Sequence, residues 1–313
     1  MSQVKFENIP VVIIGGGQAG LSTSYYLCKE EIEHVVLERG TCMHTWDSKR
    51  WDSFCLVTPN WQCRLPDYPY QGKDPHGFMV KEEIIEYLQG FLSSFNPPVR
   101  EHVNVENVSR RNDGKFVVQT DGLTYIADQI VVATGSYDIP IIPEYANKLD
   151  NDIFQINAGE YRNASQLPDG GTLVLGAGQS GVQIMEDLHL LGRDVHLAVG
   201  PCPRSPRNYR GRDATAWLYD QGHYDLTIRN HPQGEAVKTK TNHYLTGRDG
   251  GHEIDLRKFH LQGVSLYGSI TDINGSVVGF AGDLKKNLDD ADASYVGIRE
   301  TIDRFIEDNG IDA

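Results

Sequence analysis

The chain has 313 residues, enough for two domains that each bury a core of their own. Apolar residues make up 39% and charged residues 23%, the balance of a soluble globular protein, while a net charge of −14 argues against a nucleic-acid backbone or an anionic membrane surface as partner. Met1 to Asn8 shows no basic leader with an apolar core, the apolar runs fall far short of the roughly 20 residues of a membrane helix, and five cysteines without a CxxC pair read as structural thiols of a cytoplasmic protein and speak against a disulfide reductase.

Along the chain one pattern occurs twice. Val11-Val12-Ile13-Ile14 is a wholly apolar run ending in glycine, as a strand buried on both faces of a sheet should be. It leads into Gly15-Gly16-Gly17-Gln18-Ala19-Gly20, then a stretch with Leu21, Tyr25 and Cys28 at helical spacing, then a second strand from His34 to Leu37 that ends in Glu38. A segment rich in tryptophan and proline follows (Trp46, Trp51, Trp61; Pro59, Pro66, Pro69) and reads as a long ordered loop. Lys81 to Phe91 has the period of an amphipathic helix. Short strands are expected around Val103–Val105, Lys115–Gln119 and Leu123–Ile126, and a last one over Gln129–Val132, ending at Ala133-Thr134-Gly135. The second copy of the pattern begins 161 positions after the first: Leu173-Val174-Leu175, Gly176-Ala177-Gly178-Gln179-Ser180-Gly181, a helix carrying Val182, Met185 and Leu188, and a strand from Val195 to Val199. Near the end a helix with Ile298, Ile302, Phe305 and Ile306 stops at Asn309-Gly310, and the acidic run at Asp289, Asp290 and Asp292 reads as solvated surface before it.

The three glycines of each turn have separate physical tasks. The first turns the chain sharply, the second lets bare backbone approach a diphosphate, and the third allows the helix to pack closely on the strand. The helix N-terminus then offers free N–H groups and the positive end of its dipole. One such motif is weak evidence; two, each between a strand and a helix, argue for two bound dinucleotides. Glu38 lies 23 positions after Gly15, where an acid binds ribose hydroxyls and repels a 2′-phosphate, so the first site suits FAD or NAD. The second unit has Val199-Gly200 there, followed by Arg204, Arg207, Arg210 and Arg212 with no acid among them. On an acidic protein this reversal suggests a 2′-phosphate and hence NADP, with a solvated basic loop as the alternative. The fold class is therefore α/β, with two Rossmann-like three-layer dinucleotide-binding domains over residues 1–165 (FAD) and 166–313 (NADP). His243, His252 and His260 lack ligand spacing and read as surface or core histidines, not as a metal site.

The ordered set of Gly15-Gly17-Gly20, Glu38, Arg50-Trp51-Asp52-Ser53, Thr58-Pro59-Asn60-Trp61, Ala133-Thr134-Gly135 and Gly176-Gly178-Gly181 resembles the flavin-containing monooxygenases, the group that also includes the Baeyer–Villiger monooxygenases. The resemblance spans nearly the whole chain. It implies hydride transfer from NADPH to FAD, then activation of O2 to oxygenate a small organic substrate. By matching position, Gly15, Gly17, Gln18, Ala19, Gly20, Glu38 and Arg39 would hold FAD, with Ala133, Thr134 and Gly135. Trp46, Trp51 and the backbone near Val105 would flank it, and Asn60 would lie at the reactive ring as the one catalytic candidate. Gly176, Gly178, Gln179, Ser180 and Gly181 would hold the nicotinamide dinucleotide, with Arg204 and Arg207 on its extra phosphate.

Two departures stand against the pattern. Phe154, Asn157 and Tyr161 fill the frame of the group's phenylalanine-histidine-aromatic fingerprint, so asparagine replaces histidine. Relatives also return to the FAD domain after the nicotinamide domain, whereas here the sequence stops soon after Gly310. The FAD domain is then expected to be C-terminally incomplete, with an exposed apolar edge covered by a partner chain, by a second copy, or not at all. An uncoupled flavin reductase or NADPH oxidase, and a non-catalytic nucleotide-binding subunit, are the alternatives.

Overall fold

The computed structural model describes residues 5–313. The chain forms two compact units. The first comprises residues up to Arg50, Asn60–Pro75 and Met79–Ile141; the second comprises Trp51–Pro59, His76–Phe78 and Ile142–Ala313. The division after residue 141 precedes the expected one after 165. Two pieces of the tryptophan-rich segment also belong to the second unit, because Trp51, only 4% exposed, is part of its core.

The first unit is built on β1 (Phe6–Ile14), α1 (Gln18–Lys29), β2 (His34–Leu37), the short α2 (His44–Ser48), a two-residue hairpin β3 (Arg64–Leu65) and β4 (Tyr68–Pro69), α3 (Lys81–Phe95), β5 (Val99–Arg100), β6 (Val105–Arg110), β7 (Phe116–Thr120) and β8 (Thr124–Val132). Its sheet runs β5-β2-β1-β8-β7-β6, with β5, β2, β1 and β8 parallel and β7 and β6 antiparallel. The apolar run in β1 is buried on both faces: Val12 and Ile14 pack with Val35, Leu37 and Tyr125, whereas Val11 and Ile13 pack with Val36, Leu27 and Val131. Such two-sided burial is why the strand shows no polar alternation. Helix α3 reaches Phe95, four residues beyond the expected end, because Phe91 and Phe95 both pack against the ring of Tyr25 on α1. Burying a ring such as Phe91 completely contributes roughly 1.5–3 kcal/mol.

Two strands expected over 123–132 are a single strand. β8 pairs with β1 along its length, but with β7 only from Thr124 to Ala127. Asp128 therefore interrupts the apolar pattern without ending the strand. Beyond it, no described strand flanks Gln129–Val132 on the β7 side, and Val132 is 68% exposed.

The second unit contains β9 (Thr172–Leu175), α4 (Gln179–Leu190), β10 (Val195–Ala198), the hairpin β11 (Asn208–Tyr209) and β12 (Arg212–Asp213), α5 (Ala214–Asp220), α6 (Leu256–Leu261), β13 (Ser265–Tyr267), the hairpin β14 (Ile270–Asn274) and β15 (Val277–Phe280), and α7 (Leu284–Asn309). A parallel sheet, β13-β10-β9, carries α4, whose Val182, Met185 and Leu188 pack with Val195, Leu197 and Val199. The acidic run expected before the last helix lies inside α7, where Lys285, Lys286 and Arg257 pair with its carboxylates. Gly310 caps that helix in the left-handed conformation at φ 62°. Among the described residues no helix is long and apolar enough to cross a membrane.

A Cβ built on Gly20 would lie 1.9 Å from the carbonyl oxygen of Gly15, and one on Gly181 would lie 1.9 Å from that of Gly176. Neither backbone oxygen has a flexible stem that can yield. Gly20→Ala and Gly181→Ala are expected to cost about 3 kcal/mol each and to lower the melting temperature by roughly 6–12 °C. Gly122→Ala, where a Cβ meets nothing within 4 Å, should leave it unchanged; calorimetry on the three variants checks this.

Candidate functional site

The first glycine turn follows directly from β1. Gly15 adopts φ +109°, and a Cβ there would come within 2.4 Å of the Ala133 carbonyl oxygen, so both its conformation and its neighbour demand glycine. Ala133 reaches this point because its N–H donates to Ile14 O at 2.8 Å at the end of β8, and Thr134 N lies 3.2 Å from the same Cβ position. Over Gly17 there is open space: a Cβ would meet nothing within 4 Å. Gln18 and Ala19 start α1 with exposed side chains, and no side chain caps the helix. Its first N–H groups are thus left for an external acceptor.

Glu38 is 9% exposed, and its carboxylate accepts the Gly16 N–H and the Gly40 N–H, each at 2.7 Å. Each oxygen keeps a further lone pair, which is what a ribose diol needs. Arg39 is exposed and holds both oxygens of Asp138 at 2.9 and 3.0 Å, three residues beyond Gly135. Trp46 sits half-buried on α2 with the Arg50 guanidinium 5.2 Å from its ring, and burial lowers the pKa of that arginine. Val105 opens β6 and packs at the margin of the first core.

Two expected members of this site are employed elsewhere. Trp51 packs edge-on against Phe54 in the core of the second unit. Asn60 is buried with both ends of its amide committed: Nδ2 donates to Asp74 O and Oδ1 accepts Met79 N–H, each at 2.9 Å. Asn60 therefore pins its own loop, with one Nδ2 hydrogen and one Oδ1 lone pair beyond these two bonds.

The second turn repeats the first in its essentials. Gly176 adopts φ +98°, and a Cβ on Gly178 would find only the Thr241 methyl, at 3.9 Å. Ser180 is exposed at the start of α4. The Gln179 side-chain amide donates to Leu245 O and accepts Leu245 N–H at 3.0 Å, clamping a segment 66 positions away beside the turn.

Arg204, Arg207, Arg210 and Arg212 are all paired with acids of this chain. Arg207 is 1% exposed, with Nε 2.8 Å and Nη2 2.6 Å from Asp213 and Nη1 donating to Val57 O. Arg204 pairs with Asp255 and Asp292 and stacks over Tyr295. Arg210 and Arg212 pair with Asp303 and Asp220. The local excess of arginine in sequence balances acids supplied by distant segments.

A buried polar network escaped the sequence reading altogether. On α4, Glu186 and Asp187 are 2% and 3% exposed. Glu186 accepts from Thr246 at 2.9 Å and lies 2.6 Å from His252; Asp187 pairs with Arg248 at 2.7 Å and accepts from Tyr161 at 2.8 Å and from Ser53. No spacing links these residues. The only signal was two adjacent acids where a helix should show its apolar side. Asn157 adjoins the network through its backbone, its carbonyl oxygen accepting the Tyr161 N–H at 3.0 Å, while its Oδ1 accepts Gly159 N–H at 2.9 Å.

All five cysteines are free. Burial, with Glu101 and Glu38 nearby, pushes the Cys42 thiol up to about 12; burial pushes Cys63 up to about 11 and raises Cys55 and Cys202. None of these four is activated as a thiolate nucleophile.

Residues 12–246 match the pyridine nucleotide-disulphide oxidoreductase family. The chain belongs to it. It is an FAD-dependent oxidoreductase. It is 33% identical over 275 residues to an uncharacterized CzcO-like oxidoreductase of Geobacillus kaustophilus (strain HTA426), covering 87% of this chain and 76% of that protein. It is also 33% identical over 195 residues to the probable indole-3-pyruvate monooxygenase YUCCA1 of Arabidopsis thaliana, covering 60% of this chain and 46% of the relative. A flavin-containing monooxygenase from Stenotrophomonas maltophilia shares the fold, with a TM-score of 0.60 at 17% identity over 96% of this chain and 99% of that one.

The His252–Glu186 bond raises the imidazole pKa above its ordinary 6.5. A raised folded-state value stabilises the protein fully below the unfolded value, and that stabilisation is lost as pH rises through the folded value. Because His252 is partly exposed, the effect is small. His252→Gln should lower the melting temperature by about 1–2 °C below pH ~6.5, with the gap closing at alkaline pH; melting curves across pH check the sign.

Proposed function

We propose that the chain binds FAD on the Gly15–Gly20 turn and NADPH on the Gly176–Gly181 turn, and acts as a monooxygenase-type oxidoreductase on a small organic substrate with O2. The observation that carries this reading is the duplicated cradle. In each turn the third glycine sits so tightly on the first that a Cβ would be 1.9 Å from its carbonyl oxygen, while nearly empty space lies over the second. A diphosphate needs that opening, and the helix N–H groups behind it.

The residues present fit both groups. Backbone N–H groups at the start of α1 would bind the FAD diphosphate, and Glu38, already oriented by Gly16 and Gly40, would take the ribose hydroxyls and exclude a 2′-phosphate. At the start of α4, the backbone from Gly178 to Gly181 would bind the nicotinamide dinucleotide. Bound FAD supplies hydride acceptance and oxygen activation; the protein's task is binding, orientation and exclusion of water. The relatives that carry monooxygenase names support the oxygenating branch.

Purified protein should be yellow and should bleach with NADPH under anaerobic conditions. Gly17→Ala and Gly178→Ala place a methyl in the two openings without touching protein backbone. Gly17→Ala should bind flavin at least about tenfold more weakly, and Gly178→Ala should need about tenfold more NADPH to bleach, both with melting temperatures close to the parent's. Colourless protein that takes up no flavin on reconstitution would sink the proposal.

One observation favours a second reading. Asn157, in the place of the group's histidine, carries no titratable proton, and its carbonyl oxygen already accepts the Gly159 N–H. Oxygen consumption would then end as hydrogen peroxide. Peroxide released in equal amount to NADPH consumed, with every amine, sulfide and ketone offered, selects this oxidase activity; a substoichiometric yield with any of them selects oxygenation.

A further inference from the structure

Arg204 and Arg207 are held against aspartates, so a cation outside this cluster is better placed to meet a 2′-phosphate. In the second unit a pocket of about 380 Å³ opens beyond the end of β10, within the usual range of roughly 300–1,000 Å³ for a small-molecule site. Pro201 and Pro203 supply apolar walls, and Thr239, Lys240 and Thr241 line another side. The pocket abuts the dinucleotide turn, because the Thr241 methyl stands 3.9 Å from the Cβ position of Gly178. Three contacts hold this segment in place: the two-way Gln179–Leu245 clamp, the Tyr244 N–H donated to Pro203 O at 3.1 Å, and the strand-like bridge between Arg204 and Tyr244.

Val199 occupies the position equivalent to Glu38, so this unit lacks the acid that would take a ribose diol and reject a phosphate. Lys240 is exposed and, among the described residues, has no ion-pair partner, whereas Lys238 two positions earlier is held by Glu235. The one acid lining the pocket, Asp290, is already paired with Lys286 at 2.5 Å. Two proline rings, two hydroxyl side chains and one uncommitted ammonium form a surface for a purine nucleoside bearing a phosphate on its ribose.

We infer that this pocket receives the adenosine end of NADP, with Lys240 as the side chain that contacts the 2′-phosphate and selects it over NAD. The inference rests on the nucleotide reading of the Gly176–Gly181 turn and adds the residue that sets its specificity. Calorimetric titration of FAD-loaded protein with NADP⁺, NAD⁺, adenosine 2′,5′-bisphosphate and 5′-AMP tests it without turnover. The parent should prefer the 2′-phosphorylated member of each pair. Lys240→Ala should weaken both 2′-phosphorylated ligands about tenfold, and Lys240→Glu further, while NAD⁺ and 5′-AMP change less than about twofold. Arg210→Ala, at an exposed arginine paired with Asp303, should leave all four affinities unchanged. Melting temperatures equal to the parent's show that the variants fold. A Lys240→Glu protein that keeps the parental preference overturns the assignment of Lys240 while leaving the dinucleotide site standing. A parent that binds none of the four overturns both.

Discussion

The α-carbon of a glycine pressed against a carbonyl oxygen is the contact on which both halves of this protein depend. Gly20 meets Gly15 and Gly181 meets Gly176 at a separation that admits no side chain. This contact fixes where each helix begins relative to the strand before it. Once the start of the helix is fixed, its unpaired N–H groups point across the second glycine into open space. The same approach therefore packs a helix on a sheet and leaves an anion-binding surface beside it.

What surrounds each turn differs. At the first, the end of β8 brings Ala133 against Gly15, and a buried carboxylate is held open by two backbone N–H groups. At the second, the corresponding position is Val199, and the turn is bordered instead by a segment clamped through Gln179. Gln179 thus serves the site indirectly, by fixing which residues face it.

Burying Glu186 and Asp187 in α4 would be costly if either were left alone. Their partners come from segments that have little regular structure of their own: Ser53, Tyr161, Thr246, Arg248 and His252. The network therefore orders loops that apolar packing alone would leave loosely specified. The internal Arg207–Asp213 pair acts in the same way, with Arg207 also holding the Val57 carbonyl.

The sequence by itself determined whatever rests on local geometry: both strand-turn-helix units, the extent of β2, the beginning of α3, the stop at Gly310, and the role of Glu38 as the acid beside the first turn. Backbone conformation and periodicity act over a few residues, so residue order suffices to read them. Partners were a different matter. Which aspartates pair with Arg204 and Arg207, what holds the Asn60 amide, which unit Trp51 serves, and that Thr241 comes beside Gly178 were decided only by the folded chain. Charge and hydrogen-bonding capacity are visible in a sequence, but the group that satisfies them lies tens of residues away, where no spacing rule reaches.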